Sequence, residues 1–273
     1  MYGNQSLPDG TPLTNFYLGT MGFSYTDWVG PFYPESMAQR NFLKHYSRFF
    51  NAVEIDSTFY GTPRVEAVQR WYLDTPDDFR FCPKVPKVIT HEKGLRGAHL
   101  DMTDFILVMR ALKEKLGVIL IQLPPSFGAD QINILDNFLG SLPDDLRFAV
   151  EFRNYSWYQS QTEQMLLKHH VCWTGTEYPD LPRGITLTSD FAYFRLIGQH
   201  GQFVHHNREQ IDRSNNLKWW YQHLVNQRDA LVSIYGFFNN DYAGFGVGSC
   251  NQFKVLAGLP APDLRPPLQG RLF

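Results

Sequence analysis

Two carboxylates interrupt an apolar run in N-A-V-E-I-D-S-T-F-Y, residues 51–60. Ala52, Val53 and Ile55 have the small or β-branched character of a buried strand. Alternate strand residues face the same way, so Glu54 and Asp56 share a face if the strand continues through both. Carboxylates on such a face are costly unless paired, hydrogen-bonded or hydrated. Positioned carboxyl groups of this kind serve general acid–base catalysis. The segment reads as the floor of a site.

Comparable polar residues close other apolar runs. Lys84 follows F-R-F-C-P, Gln122 ends V-I-L-I-Q, and Glu151 and Arg153 close F-A-V-E-F-R. Arg195 sits in F-A-Y-F-R-L-I, while Asn239, Asn240 and Asp241 follow I-Y-G-F-F. The catalytic candidates are Glu54, Glu151, Asp56 and Lys84, with Glu54 or Glu151 as the acid or base. Lys84, Arg153 and Arg195 supply positive charge for a phosphate or carboxylate, Arg being suited to bidentate contact. Lys84 reads first as a counter-ion to a glutamate, Glu54 being the partner one strand away. Its second reading is a Schiff-base lysine, if burial lowers its pKa. Tyr25, Trp28, Tyr60 and Trp157 are candidate pocket walls. His91, Gln122, Asn239, Asn240 and Asp241 complete the candidate binding set. The competing reading is a buried ion lattice that holds the strand ends together.

No metal centre or cofactor is expected. H-E-x-x-H is absent, and His91, His200, His205 and His206 fall in predicted loops without a helical frame. Glu54, Asp56, Glu151 and Asp241 are nonetheless donors of the type that hold Mg²⁺ or Mn²⁺, so a divalent ion stays open. G-x-S-x-G is also absent.

The elements that must position these groups follow from hydrophobic patterning. Strands are expected at 16–23, within 51–60, and at 79–85, 118–123, 147–152, 171–176, 191–197 and 233–238. Helices are expected at about 38–50, 65–73, 102–115, 132–139, 162–169, 216–227 and 248–256. The polar stretch 86–97 reads as an active-site loop or lid. Eight strands alternating with helices predict a single (β/α)8 TIM-type barrel over 16–258, in which strand carboxyl ends gather reactive groups at one mouth. A polar extension, 1–15, precedes it and a Pro-rich tail, 259–273, follows. An open doubly wound sheet is the alternative, but neither G-x-G-x-x-G nor G-x-x-x-x-G-K-[ST] follows any strand.

Composition narrows the class. Of 273 residues, 43% are hydrophobic and 19% charged, which supports a sizeable core and argues against disorder. A net charge of −2 predicts no strong non-specific binding to nucleic acid. Three scattered cysteines lack metal or redox spacing and fit a reducing compartment. No signal pattern or membrane-length apolar run is present, so a cytoplasmic location is expected.

Several motifs together resemble the YecE-like family, also called domain of unknown function 72. They are G-F-S-Y-T-D-W (22–28), F-Y-P (32–34), E-I-D-S-T-F-Y (54–60), T-P-D-D-F-R-F (75–81) and I-T-H-E (89–92). Q-L-P-P-S-F (122–127), A-V-E-F-R with S-W (149–153, 156–157) and F-N-N-D (238–241) complete the set. The resemblance implies a TIM-type barrel and carries no settled reaction. The family usually has Asn at the position of Asp56, and His at the position of Ile197; any role of that histidine is missing here.

Three functions are compatible with these observations. One is an enzyme applying carboxylate acid–base chemistry to a small anionic substrate, phosphorylated or sugar-like, as a hydrolase or a phosphodiesterase-like lyase. Ordinary retaining glycosidase chemistry is disfavoured, because its glutamates are usually placed where Gln122 and Arg195 stand. The second is a DNA-processing or repair accessory protein: Gln269, Leu272 and Phe273 resemble the Q-x-x-L-F peptide that docks on the sliding clamp. The third is a non-catalytic module that binds nucleotides or RNA.

Overall fold

Each apolar run forms a short strand, and every strand pairs in parallel. The computed structural model describes residues 15–261, 263 and 264. Among them the strands are β1 (Asn15–Thr20), β2 (Ala52–Ile55), β3 (Arg80–Pro83), β4 (Val118–Gln122) and β5 (Arg147–Glu151). They continue with β6 (Cys172–Trp173), β7 (Gly175–Glu177), β8 (Phe191–Leu196) and β9 (Ser233–Phe238). The helices are α1 (Phe42–Tyr46), α2 (Val65–Leu73), α3 (His99–Met109), α4 (Ile132–Leu139), α5 (Ser160–Lys168), α6 (Ser214–Val225), α7 (Asn240–Ala243) and α8 (Gly246–Leu256). Strands alternating with helices make this a mixed α/β fold.

The strands form three ladders, in the orders β1-β9-β8-β7, β2-β3 and β4-β5-β6. Isolated parallel bridges connect them: Met21 with Glu54 between β1 and β2, and Lys84 with Leu120 between β3 and β4. Gln122 lies opposite Glu151, and Arg195 opposite Phe237.

Both faces of the strands are buried, which explains their continuous apolar composition. Val53, Ile55, Ile119, Ile121, Phe148 and Val150 belong to the larger cluster, which includes the helices' apolar faces. Ala52, Val118, Leu120, Ala149, Phe191 and Tyr193 belong to a smaller cluster on the alternate face. Gly19 lets β1 approach β2: a Cβ there would meet the Ala52 carbonyl oxygen at 1.8 Å.

Several expected boundaries move for physical reasons. β2 stops at Ile55, and Asp56 opens a 3₁₀ turn, Asp56–Phe59, whose Thr58 hydroxyl donates to the Ile55 carbonyl. Glu54 and Asp56 therefore do not share one strand face. The expected sixth strand breaks at Thr174 into β6 and β7, because the Thr174 N–H turns to the Val150 carbonyl while β7 pairs with β8. The stretch 86–97 is less loop-like than expected: a π-helical turn, Val88–Glu92, buries Ile89 and Thr90, and Leu95 packs into the core. The expected helix at 102–115 begins earlier and tightens after Met109 into a 3₁₀ segment, Arg110–Lys115. No helix among the described residues is long and apolar enough to cross a membrane.

Candidate active site at the strand carboxyl ends

The alternate face that carries the smaller apolar cluster also carries the charges. Two residues beyond Ala52 comes Glu54, beyond Cys82 Lys84, beyond Ala149 Glu151 and then Arg153, and beyond Tyr193 Arg195. Period-2 alternation therefore delivers each polar side chain to the carboxyl end of one shared face. Apolar residues fill that face below the charged level.

Arg195 is the hub. Its Nε donates to Glu54 Oε2 at 2.9 Å, and its Nη2 to Glu54 Oε1 at 2.6 Å. Its Nη1 donates to Glu151 Oε2 at 2.5 Å. The Tyr193 hydroxyl adds a hydrogen bond to Glu54 Oε2 at 2.7 Å. Arg153 Nε donates to the other oxygen of Glu151, and the Arg153 guanidinium lies 4.0 Å over the Tyr178 ring. Asp56 stands apart at the edge, with Oδ1 3.8 Å from Arg195 Nη2. Glu54 and Glu151 are fully buried, while the Asp56 side chain is 32% exposed.

The two glutamates sit in opposite electrostatic settings. Burial pushes Glu54 up to about 7; Arg195 opposes this, while the neighbouring Asp56 charge adds to it. Burial acts on Glu151 in the same direction, but Arg153 and Arg195 outweigh it and hold the carboxyl at about 2. One carboxyl can thus exchange a proton near neutrality while the other stays ionised, the pairing that acid–base sites use.

Lys84 does not meet the glutamate counter-ion expected for it, because Arg195 and Arg153 occupy both. Its Nζ lies 4.1 Å from the centre of the Phe59 ring, and the side chain makes no hydrogen bond or ion pair with any described residue. Burial, with the nearby Arg195 charge, lowers its pKa. His91 packs edge-on against Phe59, 4.9 Å between ring centres, and its Nδ1 lies 2.8 Å from the Thr90 hydroxyl. Burial and the Lys84 and Arg153 charges lower the His91 pKa, which favours the neutral ring.

The remaining candidates fall into two groups. Tyr25 and Asn239 stand beside the hub through Met21: the Tyr25 hydroxyl donates to the Met21 carbonyl, and Asn239 Nδ2 and Arg195 Nη2 both approach its sulfur. Asp241 holds the strap after β8, its carboxylate meeting His200 Nδ1, the Gly201 N–H and His206 Nε2. By contrast, Trp28 and Trp157 are fully buried, their indole N–H groups bonded to Asn240 Oδ1 and the Phe127 carbonyl, so they support the site from behind. Gln122 is buried and donates to the Leu123 carbonyl. Tyr60 is 78% exposed. Ile197, where relatives usually have His, packs in the smaller apolar cluster.

Tyr178, the ring under Arg153, also lines a cavity of about 320 Å³, together with Glu177, Gln199, Gln202, Arg213 and Tyr242 among others. Glu177 anchors its wall, accepting from Asn216 Nδ2, Trp220 Nε1 and the Tyr242 hydroxyl. Sequence patterning missed these residues, because they lie on or after strands and in a four-residue helix, β7 and α7 being too short to carry a period. The T-E-Y end of β7 was the available signal. All four carboxylate oxygens of Glu54 and Glu151 already accept hydrogen bonds, and among the described residues no three His, Cys, Asp or Glu side chains converge as a metal-ligand set. The tail residues Gln269, Leu272 and Phe273 lie outside the described residues.

A parallel α/β protein with a charged, strand-end cluster is the class these observations define. The family model described as "Protein of unknown function DUF72" matches residues 17–270, and the chain belongs to that family. It is similar to the UPF0759 protein YecE of Escherichia coli (strain K12), 35% identical over 151 residues. That match covers 55% of this chain and 53% of YecE, so the chain spans about half the length of that relative. The UPF0759 protein YunF of Bacillus subtilis (strain 168) is 23% identical, with 92% of this chain and 97% of YunF covered. A DUF72 family protein from Thermotoga maritima MSB8 superposes with a TM-score of 0.79 at 30% identity, covering 89% of this chain and 99% of that one. A DUF72 family protein from Enterococcus faecalis V583 has the same fold, with a TM-score of 0.76 at 23% identity and coverage of 92% and 98%.

Proposed function

We propose that the charged strand ends bind a small anionic molecule and apply carboxylate acid–base chemistry to it, with Glu54 as the proton-exchanging group. This reading treats the three ladders as one closed (β/α)8 barrel in a single domain, 16–258. The bridges at Met21–Glu54 and Lys84–Leu120 support closure, as does the one-residue step from β6 to β7. Barrels of this kind hold their sites at the carboxyl ends of the strands.

The carrying observation is the unequal use of the cations. Arg195 spends Nε and both terminal nitrogens on Glu54 and Glu151. Arg153 spends only Nε, leaving its terminal nitrogens without an acceptor among the described residues, and Lys84 has no anionic partner there. Donors on Arg153 and Lys84 that no described residue accepts from fit a phosphate or carboxylate supplied by a ligand.

Calorimetric titration of the full chain with inorganic phosphate tests the reading. Saturable binding is expected, weakened roughly tenfold or more by Arg153→Gln, since a charge-assisted hydrogen bond contributes about 1.5–3 kcal/mol. Absence of binding, or equal binding by a folded Arg153→Gln variant, would overturn it.

A further inference from the structure

Of the lysines, Lys115 and Lys254 are buried, Lys84 is half-buried and the others are exposed. The two buried ones donate to backbone carbonyls. Lys115 Nζ donates to Tyr72 O at 2.7 Å and Thr75 O at 2.6 Å, and Lys254 Nζ to Phe49 O at 2.6 Å. All three lie over rings, Lys84 4.1 Å from Phe59, Lys115 4.4 Å from Tyr72 and Lys254 5.3 Å from Phe50; Lys84 differs in having neither a carbonyl nor a carboxylate within bonding distance among the described residues. Glu54, Asp56, Glu151, Arg195 and His91 surround it electrostatically. An amine partly withdrawn from water, with no hydrogen-bond acceptor and Arg195 nearby, is less well stabilised as an ammonium ion than an exposed lysine, although the carboxylates of Asp56, Glu151 and Glu54 act the other way.

We propose that Lys84 is a nucleophile that condenses with the carbonyl group of a small aldehyde or ketone entering the strand-end mouth. The Nζ lone pair attacks the carbonyl carbon, and the C=O π electrons move to oxygen, which takes a proton. The proton on oxygen comes from Nζ, and the carbinolamine then loses its hydroxyl together with the one proton left on Nζ as water, giving a C=N bond to Lys84. One amine and one carbonyl yield one imine and one water, with no oxidant or reductant required. The position suits this step: Lys84 directly follows β3, so its backbone is held at the strand end by the Leu120 bridge and by the Thr58 hydroxyl, 3.1 Å from its N–H. Arg153 and Arg195 would draw anionic carbonyl compounds towards it. The inference deepens the proposed function, because it rests on the mouth being where a ligand enters.

Reductive trapping on the full chain tests it. The protein is treated at neutral pH with glyoxylate, an anionic aldehyde, or with propionaldehyde, an uncharged one, in the presence of cyanoborohydride, and labelled lysines are located by peptide mapping. Lys84 should acquire the reduced adduct roughly tenfold faster than the exposed Lys113 and Lys218. Labelling of Lys84 no faster than those two, with both aldehydes, would overturn the proposal. Phosphate binding without fast labelling leaves the anion site standing and removes the nucleophile. Fast labelling by both aldehydes without phosphate binding supports the nucleophile and removes the anion site.

Discussion

Lys84, half-buried, and Lys115, buried, lie at opposite ends of the strands, each over an aromatic ring, and differ in what accepts from them. Lys115 precedes β4 and closes the end of α2, donating to the Tyr72 and Thr75 carbonyls that a helix terminus leaves unpaired. Every feature there removes the need for an outside partner. Lys84 follows β3 and meets a ring, with every nearby carboxylate oxygen of Glu54 and Glu151 already claimed by an arginine or Tyr193. The two lysines show that burial of a charge does not by itself mark a site. A part-buried charge with no bonded acceptor is the better mark, because something else must lower its energy when it is ionised.

The comparison is most severely tested at Arg195, whose removal should convert a balanced cluster into an unbalanced one. Arg195→Met is expected to cost about 3–5 kcal/mol in chemical denaturation, since two buried glutamates lose their shared cation. A loss below about 1 kcal/mol would mean the hub is not what holds the strand ends.

Next comes pH. A carboxyl raised from 4.5 to about 7 binds its proton more tightly in the folded state, so its stabilising contribution is present below pH 4.5 and is lost as pH rises through 7. Relative to Glu54→Gln, the native chain should therefore lose about 3 kcal/mol between pH 4.5 and pH 8. Glu151, held at about 2, has the opposite sign: its contribution is present above pH 4.5 and is lost as pH falls through 2. Parallel pH–stability curves for the native chain and Glu54→Gln would refute the assignment of Glu54 as the titrating group.

The lysines themselves give smaller effects of opposite sign. Lys115→Met should destabilise by about 1–3 kcal/mol, because buried carbonyls lose their donor, and should leave phosphate affinity unchanged. Lys84→Met should shift stability by less than about 1 kcal/mol, upward if at all, while weakening phosphate binding. Equal destabilisation by the two substitutions would erase the distinction drawn between them.

Much of the fold was legible because its evidence is local. Runs such as V-I-L-I-Q and S-I-Y-G-F-F can be buried on both faces only in a covered sheet, and β9 occupies the residues expected of it. The boundaries that moved are those set by long-range choices: β2 ends early as Asp56 turns into a 3₁₀ segment, and Thr174 breaks the sixth strand to serve two neighbours. The candidate residues were found by type and position, and the strand alternation does bring Glu54, Lys84, Glu151, Arg153 and Arg195 together. Their pairing was not legible. Glu54 has Lys84 on the next strand, yet its bidentate partner is Arg195, 141 residues away in the chain. The cavity beside Glu177 was hidden for the same reason, since β7 and the segments that follow β7, β8 and β9 supply its walls.

By itself the sequence determined the parallel α/β class, the family, and the set of charged residues at the strand ends, because periodicity and composition are properties of each segment. Only the tertiary structure decided which charges satisfy one another and which amine is left over. That outcome depends on which strands become neighbours. In this chain, two arginines take both glutamates and leave Lys84 without an ion-pair partner among the described residues.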